Sequence, residues 1–373
     1  MKFIKRRIKK VKKVREKVTD VVAEKAAGLN LSGKPDEPLT LENVPRITSE
    51  SIAEHREEVL SGARKYIYPL QHSKHRVVVI TSIISAVAII AFAVYTSLAL
   101  YKFYQHNTFL YRVTQVVPFP IAKAGSSFVE YENYLFELRR YIHYYQTQQQ
   151  NKFGGQAQID TYRKQALEKV VSNAYIKQLA KKHGLSVSDK EVDLRIAVVR
   201  DQNRLGANNK VFADVLRDYW GWSVADFKRD LKNQMLAQKV EARLDTEAQA
   251  KAKAAFDQLK AGADFAAVAK QFSEDAASRE AGGDYGFAIT RTNPNVPPEV
   301  IDQLYKMQIG GYSDIIVASR LDIDRPDTLE IVKLTSSDPS AINVQHISFN
   351  LKDISLYVEE LKKQQPVRSY VHF

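Results

Sequence analysis

Cysteine is absent from this 373-residue chain, which excludes disulfides, thiol nucleophiles and thiolate metal sites. Its eight histidines are scattered, with no His-x-x-x-His or His-Glu-x-x-His spacing to gather a metal. No Walker-type glycine-rich phosphate loop occurs either, so neither a metal nor a cofactor is expected. Charge is missing from residues 77–101, the run VVVITSIISAVAIIAFAVYTSLALY. That run exceeds the roughly 20 apolar residues needed to cross a bilayer. A helix of this composition satisfies its own backbone in lipid, and buried core helices seldom run so long uncharged. It lies too deep in the chain to be a cleavable leader, which occupies about the first 15–30 residues. A single transmembrane helix is expected.

Acidic residues are scarce at the start. The first 17 residues hold ten Lys or Arg against Glu16 alone, and His72, Lys74, His75 and Arg76 abut the apolar run. Beyond it only Lys102 precedes Arg112. The positive-inside bias puts the N-terminus in the cytoplasm and the larger C-terminal part outside, in a bacterial envelope. Most of the net charge of +12 then belongs to the cytoplasmic arm. Without disulfides the outer part depends on its core, and about 270 residues suffice for one or two domains.

In the arm, Phe3, Ile4, Ile8, Val11, Val14, Val18 and Val21 recur at three- and four-residue steps, one apolar face on a basic helix. Anionic lipid, RNA or the ribosome, and a topology signal without a partner are all compatible with it. Aromatic residues are missing from 5–15, which argues against specific nucleic-acid binding. Residues 28–45 read as a flexible linker, and a short helix follows from Ser49 to about Arg64.

Beyond the apolar run, Pro118 and Pro120 break the chain, and Gly125 to Ser127 offer a helix start. Tyr131, Leu135, Leu138 and Ile142, with Phe128, then share a helical face. A second helix carries Leu167, Val170, Val171, Ala174, Tyr175 and Leu179 and ends at Gly184, where left-handed backbone is cheap. Ser188 followed by Glu191 fits a capping box, and further helices are expected at about 209–219 and 223–244. The order LSVSDKEV, a polar helix, a Trp-Gly turn at 220–222 and VADFKRDLK resembles the N-terminal chaperone domain of SurA- and PrsA-type foldases. The resemblance covers roughly residues 113–245 and implies an all-α module that cradles unfolded polypeptides.

After Thr246 the phrase LKAGADFAAVAKQFSEDAASREAGGDYGF orders an amphipathic helix, a second helix, an acidic Ser-Glu-Asp step and a double-glycine turn. It resembles the parvulin (PpiC-like) family of peptidyl-prolyl isomerases, and the likeness continues through PEVIDQL, GGYS and TLEIVKL. The family's opening strand, of the form x-x-H-I-L, is missing before the first helix. It turns up at the end, as INVQHISF, with His346. A circular permutation accounts for this, since joining neighbouring antiparallel strands needs only the short loop 335–341, with Asp338 and Pro339 as turn residues. A second, truncated parvulin unit beginning at His346 is the other reading. In the hairpin, Leu334 facing Ile342 would set Val332 against Val344 and Glu330 against His346 on one sheet face.

The resemblance then implies the site. The family's second catalytic His falls on Glu330, so a carboxylate faces His346 and raises its pKa. The acid beside the substrate carbonyl matches Asp275, which a helix cap would also explain. The proline pocket matches Tyr285, Ala288 and Val300, with Phe287 able to compensate for the small walls. Prolyl rotation faces a barrier of about 18–20 kcal/mol from amide resonance and needs an apolar grip and a tuned field.

The expected architecture is α+β: residues 1–76 a basic cytoplasmic arm and linker, 77–101 the transmembrane helix, and 102–245 the helical module. Residues 246–352 form a parvulin-like four-stranded antiparallel sheet with helices, its first strand supplied by 342–350, and 353–373 a C-terminal helix and tail. The expected function is a membrane-anchored extracytoplasmic isomerase and chaperone for exported polypeptides containing Xaa-Pro bonds. The alternatives are a noncatalytic client-binding chaperone and a membrane scaffold with a recruiting arm.

Overall fold

The computed structural model describes residues 48–67, 71–148, 155–203, 205, 208–319, 326–338 and 341–373. The basic helix and the linker expected before Thr48 lie outside the described residues, as does Pro339. By contacts the chain divides into two units, residues 1–87 and 88–373. In the first, helix α1 (Ser49–Ile67) opens where the Thr48 hydroxyl accepts from the Ser51 N–H at 3.3 Å. Helix α2 (Gln71–Tyr101) contains, over His75–Tyr101, the stretch long and apolar enough to cross a membrane.

In the second unit a helical module packs α3 (Thr108–Val116), α4 (Tyr131–Gln148), α5 (Gly155–Lys182), α6 (Asp189–Gln202), α7 (Asn209–Trp220) and α8 (Val224–Leu244). Caps set their starts: Ser188 with Glu191 and Ser223 with Asp226 both form complete capping boxes. Tyr131, Leu135, Leu138, Val170, Tyr175 and Val240 bury in one apolar core with Leu100 and Leu110. Fully burying side chains of this size stabilises by roughly 1.5–3 kcal/mol each. Phe128, grouped with this face from its spacing, instead stands exposed.

The module is not purely helical. Strands β1 (Pro120–Ala124) and β2 (Ser127–Glu130) form a hairpin there, and Gly125, at φ +55°, takes the first position of its two-residue turn. Of the residues that suggested a helix start, Gly125 and Ser126 form the turn and Ser127 opens β2. Strands of four or five residues carry too few alternations to stand out from neighbouring helices. The chain's last segment completes this sheet: helix α12 (Ile354–Gln364) packs on α5 and α8, and β6 (Val367–Ser369) pairs with β1. Phe373 stacks on Tyr134 at 5.5 Å, and the Tyr370 N–H donates to the Ile121 carbonyl at 2.9 Å. Val358 and Val371 of this segment are thus buried in the helical module's core.

Between α8 and α12 lies an α+β lobe with α9 (Thr246–Lys260), α10 (Phe265–Phe272), α11 (Pro298–Leu304), β3 (Ile316–Ala318), β4 (Thr328–Ser337) and β5 (Ile342–Asn350). The antiparallel sheet runs β3-β4-β5. Both faces of β4 and β5 are used, as the alternation of side chains requires. Leu329, Ile331, Ile347 and Phe349 pack under α9 and α10, while Val332, Leu334 and Val344 meet Val300, Ile301 and Leu304 of α11. The helical module grips this lobe through α6: Gln202 Nε2 donates to the carbonyls of Asn293 and Val296 at 3.0 and 2.9 Å, and Arg195 pairs with Glu299.

Two expectations about the sheet are corrected. The fourth strand is reduced to isolated bridges, Asp284 with Gln345 and Ile289 with Ile342. There the Asp284 carboxylate accepts from the Gly286 N–H at 2.7 Å, a local turn that competes with ladder pairing. The hairpin register also differs by two residues: Val332 faces His346, Leu334 faces Val344 and Glu330 faces Ser348. Strand β4 runs on to Ser337, with a bulge between Leu334 and Ser336, and Asp338 and Ala341 close the turn by exchanging backbone hydrogen bonds. A two-residue slip preserves the face, so Glu330 and His346 become diagonal neighbours rather than opposed ones.

Candidate active site

His346 lies on β5, 5% exposed, on the sheet face that α11 covers only in part. Its Nε2 is 3.1 Å from Asp275 Oδ2 and 2.7 Å from Ser278 Oγ, and its Nδ1 is 3.3 Å from Glu330 Oε2. The Ser-Glu-Asp step is brought here because it runs along β5. Ser273 Oγ accepts from the Ser348 N–H at 3.2 Å, and the Glu274 N–H donates to the Ser348 carbonyl at 2.7 Å. Asp275 follows at the edge of a cleft, where its carboxylate also accepts from the N–H groups of Ala277 and Ser278 and the Ser278 hydroxyl. Capping and contact with His346 therefore coexist at one carboxylate.

The double glycine fixes the opposite wall. Gly283 sits at φ +86°, and a Cβ there would fall 2.3 Å from the His346 carbonyl oxygen. Only glycine allows this approach, through which the His346 N–H donates to the Gly283 carbonyl at 2.8 Å. Tyr285 is thereby laid against the imidazole, with ring centroids 4.1 Å apart and planes 26° from parallel. Its hydroxyl donates to Glu330 Oε2 at 3.3 Å, and the other carboxylate oxygen of Glu330 accepts from Thr328 Oγ1 at 3.1 Å.

Electrostatics follow from this enclosure. Burial disfavours a charged imidazole, but hydrogen bonds and attraction from Asp275 and Glu330 outweigh it, and the His346 pKa is pushed up to about 9. The hydrogen bond from His346 holds the Asp275 carboxyl well below the usual range against its partial burial. Burial first, then the charge of Glu330, keeps the Tyr285 hydroxyl protonated. At neutral pH the centre is an imidazolium clamped between two carboxylates.

These groups floor a cleft of about 630 Å³ whose walls include Tyr285, Phe287, Pro294, Pro297 and Pro326. Of the residues expected from sequence, the structure brings together His346, Asp275, Glu330, Tyr285 and Phe287. Ala288 is exposed and is not among the residues lining the cleft, and Val300 is fully buried among Ile289, Ile301 and Leu304. The turn at Gly286 displaces the positions after it, and α11 directs Val300 into the core. Ser278 and the proline wall were not anticipated. The spacing of Ser278 three residues after Asp275 is a local capping signal, common in turns of any function.

A helical module is thus joined to an α+β lobe whose cleft holds a histidine between two carboxylates. Residues 70–241 match the SurA-like N-terminal domain, and residues 234–336 match the PPIC-type PPIase domain. The chain carries both. It is similar to Chaperone SurA of Methylobacillus flagellatus, 24% identical in an alignment 260 positions long that covers 56% of this chain and 56% of that protein. It is also similar to Foldase protein PrsA 2 of Bacillus anthracis, 28% identical over 47% of this chain and 61% of that protein. Foldase protein PrsA of Streptococcus pneumoniae is 34% identical over 28% of this chain and 33% of its own length. The chain thus spans less than two thirds of the length of each of these relatives. The PPIase match stops at residue 336, before β5 and its histidine.

Proposed function

We propose that this protein is a membrane-anchored peptidyl-prolyl cis/trans isomerase and chaperone acting outside the cytoplasm on unfolded exported polypeptides. The observation that carries the reading is the His346–Asp275–Glu330 cluster on the floor of a cleft walled by Tyr285, Phe287 and prolines. Residues 246–352 form the catalytic domain in this reading, with 342–350 as a circularly permuted first strand. Its support is that β5 lies between β4 and the segment 284–289, adjoining the chain's last strands instead of its first helix. Residues 102–245 and 353–373 form the chaperone domain, and 77–101 the anchor. The basic arm, outside the described residues, keeps its sequence-based assignment to the cytoplasm and to anionic lipid or the ribosome.

The chemistry is noncovalent. The aromatic and proline walls hold the substrate's proline ring, and exclusion of water removes the solvation that favours the charge-separated amide resonance form. The Asp275 carboxylate at the cleft edge opposes negative charge on the carbonyl oxygen of the residue before proline, weakening C–N double-bond character. His346 and Glu330 act as positioning residues. Both imidazole nitrogens lie within reach of carboxylates, so the ring holds Asp275 in place while Glu330 orients Tyr285.

Glu330 in place of the family's second histidine favours one rival, a client-binding chaperone without turnover. Prolyl-limited refolding and suppression of client aggregation, both measured with the full chain in detergent micelles, separate the two. Acceleration of the refolding step supports the isomerase. Suppressed aggregation with an unchanged refolding rate would select the rival.

A further inference from the structure

The end of the apolar helix is built into the helical module. Val77 to Thr96 is a 20-residue stretch, about 30 Å of helix and the thickness of a bilayer's hydrocarbon core. Burial begins at Thr96, which is fully buried, and Ala99 and Leu100 sit within the module's core. The Tyr131 hydroxyl donates to the Leu100 carbonyl and the Tyr101 hydroxyl to the Pro120 carbonyl, both at 2.6 Å. No free linker separates the last lipid-length turn from the folded module. The end of the helix, from Ala88 to Tyr101, and the module therefore belong to one contact unit.

Helix α3 lies beside this junction. Leu110 and Thr114 bury one side, while Phe109, Arg112 and Val116, at i, i+3 and i+7, share the other. Phe109 and Val116 are 53% and 83% exposed, and Phe103, in the turn between the two helices, is 59% exposed. The Phe109 ring meets Phe92 edge-on at 6.4 Å, one turn before burial begins on the apolar helix. The exposed face of α3 thus adjoins the exposed apolar surface of α2 at Phe92. Apolar side chains at that level, with Arg112 and Lys102 beside them, match the acyl–headgroup boundary, where basic side chains extend to phosphates.

We propose that Phe103, Phe109 and Val116 form a lipid-facing patch that seats the helical module on the bilayer interface. The proposal rests on α2 spanning the membrane. It assigns the chaperone module a fixed stance on the membrane rather than a tethered one.

The cysteine-free chain permits a direct test. The full chain carrying Phe103→Cys, Phe109→Cys or Val116→Cys is labelled with a fluorophore and placed in phosphatidylethanolamine–phosphatidylglycerol vesicles containing tail-brominated lipid. Ile90→Cys in the apolar helix and Ile309→Cys in the α+β lobe, both at exposed positions, serve as references. The expected result is loss of fluorescence at all three patch positions, less than at Ile90 and more than at Ile309. Quenching at Ile90 with patch signals like that of Ile309 would overturn the patch and leave the span intact. Quenching nowhere would overturn both. Patch labels shielded from water but not lipid-quenched, in a chain that runs as a dimer, would assign the surface to a second copy and also overturn the proposal.

Discussion

His346 is charged because of where it sits, and its charge has a pH signature. Its folded-state pKa of about 9 lies above the ordinary 6.5. It therefore contributes stability that is full below about pH 6.5 and is lost as pH rises through about 9, on the order of 3 kcal/mol for so buried a ring. Asp275 has the opposite sign, since its lowered value gives stability that is present above the ordinary 3.8 and lost as pH falls through the folded value. Thermal denaturation between pH 6 and 10 should show a falling midpoint in the native chain and a much flatter one in His346→Gln. Equal slopes would mean that the ring is not held between carboxylates. Asp275 could be located from the Ser-Glu-Asp step, His346 from the strand INVQHISF and Glu330 from the strand TLEIVKL. Ser278 could not, because a serine three residues after an aspartate is common text for a cap. Ala288 and Val300 were misplaced because side-chain direction after Gly286 depends on a turn that periodicity does not encode.

At the level of elements, close approach and chain return decide the fold. Gly283→Ala would set a methyl 2.3 Å from the His346 carbonyl in a backbone region that disfavours side chains. A loss of about 3 kcal/mol or more is expected, beyond the roughly 1–3 kcal/mol of backbone strain alone. Gly262→Ala, with open space around it at φ +90°, should cost only the strain. Urea denaturation of the two variants checks the contrast, and equal midpoints would contradict the packing of the turn against β5. Deleting residues 367–373 removes β6, buried Val371 and the Phe373 ring stacked on Tyr134. It should destabilise the helical module by about 3–5 kcal/mol, as large-to-small core changes do, and lower its melting temperature. An unchanged melting curve would refute the closure. Long helices and their caps were readable from spacing, as Ser188 with Glu191 illustrates. The β1–β2 hairpin and β6 escaped because three to five residues hold too little alternation. The β4–β5 pairing was readable only to within two residues because a bulge resets the count.

On the scale of the whole molecule, a span-length helix, a helical module closed by residues 353–373 and an α+β lobe lie in a single polypeptide. Their order was visible in the sequence, since an uncharged run and two motif-bearing stretches survive without knowledge of packing. Hidden from it were the return of residues 353–373 into the module and the docking of α6 on α11. Both rest on contacts between residues far apart in the chain. These joins hold the cleft and the helical module in one contact unit. The proposed isomerisation then depends on whether the clamped histidine and its acid speed rotation about a prolyl bond.

NMR exchange spectroscopy on a short Xaa-Pro peptide, with the full chain in detergent micelles, measures that rotation directly. The native chain should raise the cis/trans exchange rate above that of the peptide alone, and His346→Ala and Asp275→Ala should each lose about tenfold or more of that gain. Exchange rates that are identical for the native chain, both variants and the free peptide would contradict isomerisation at this site.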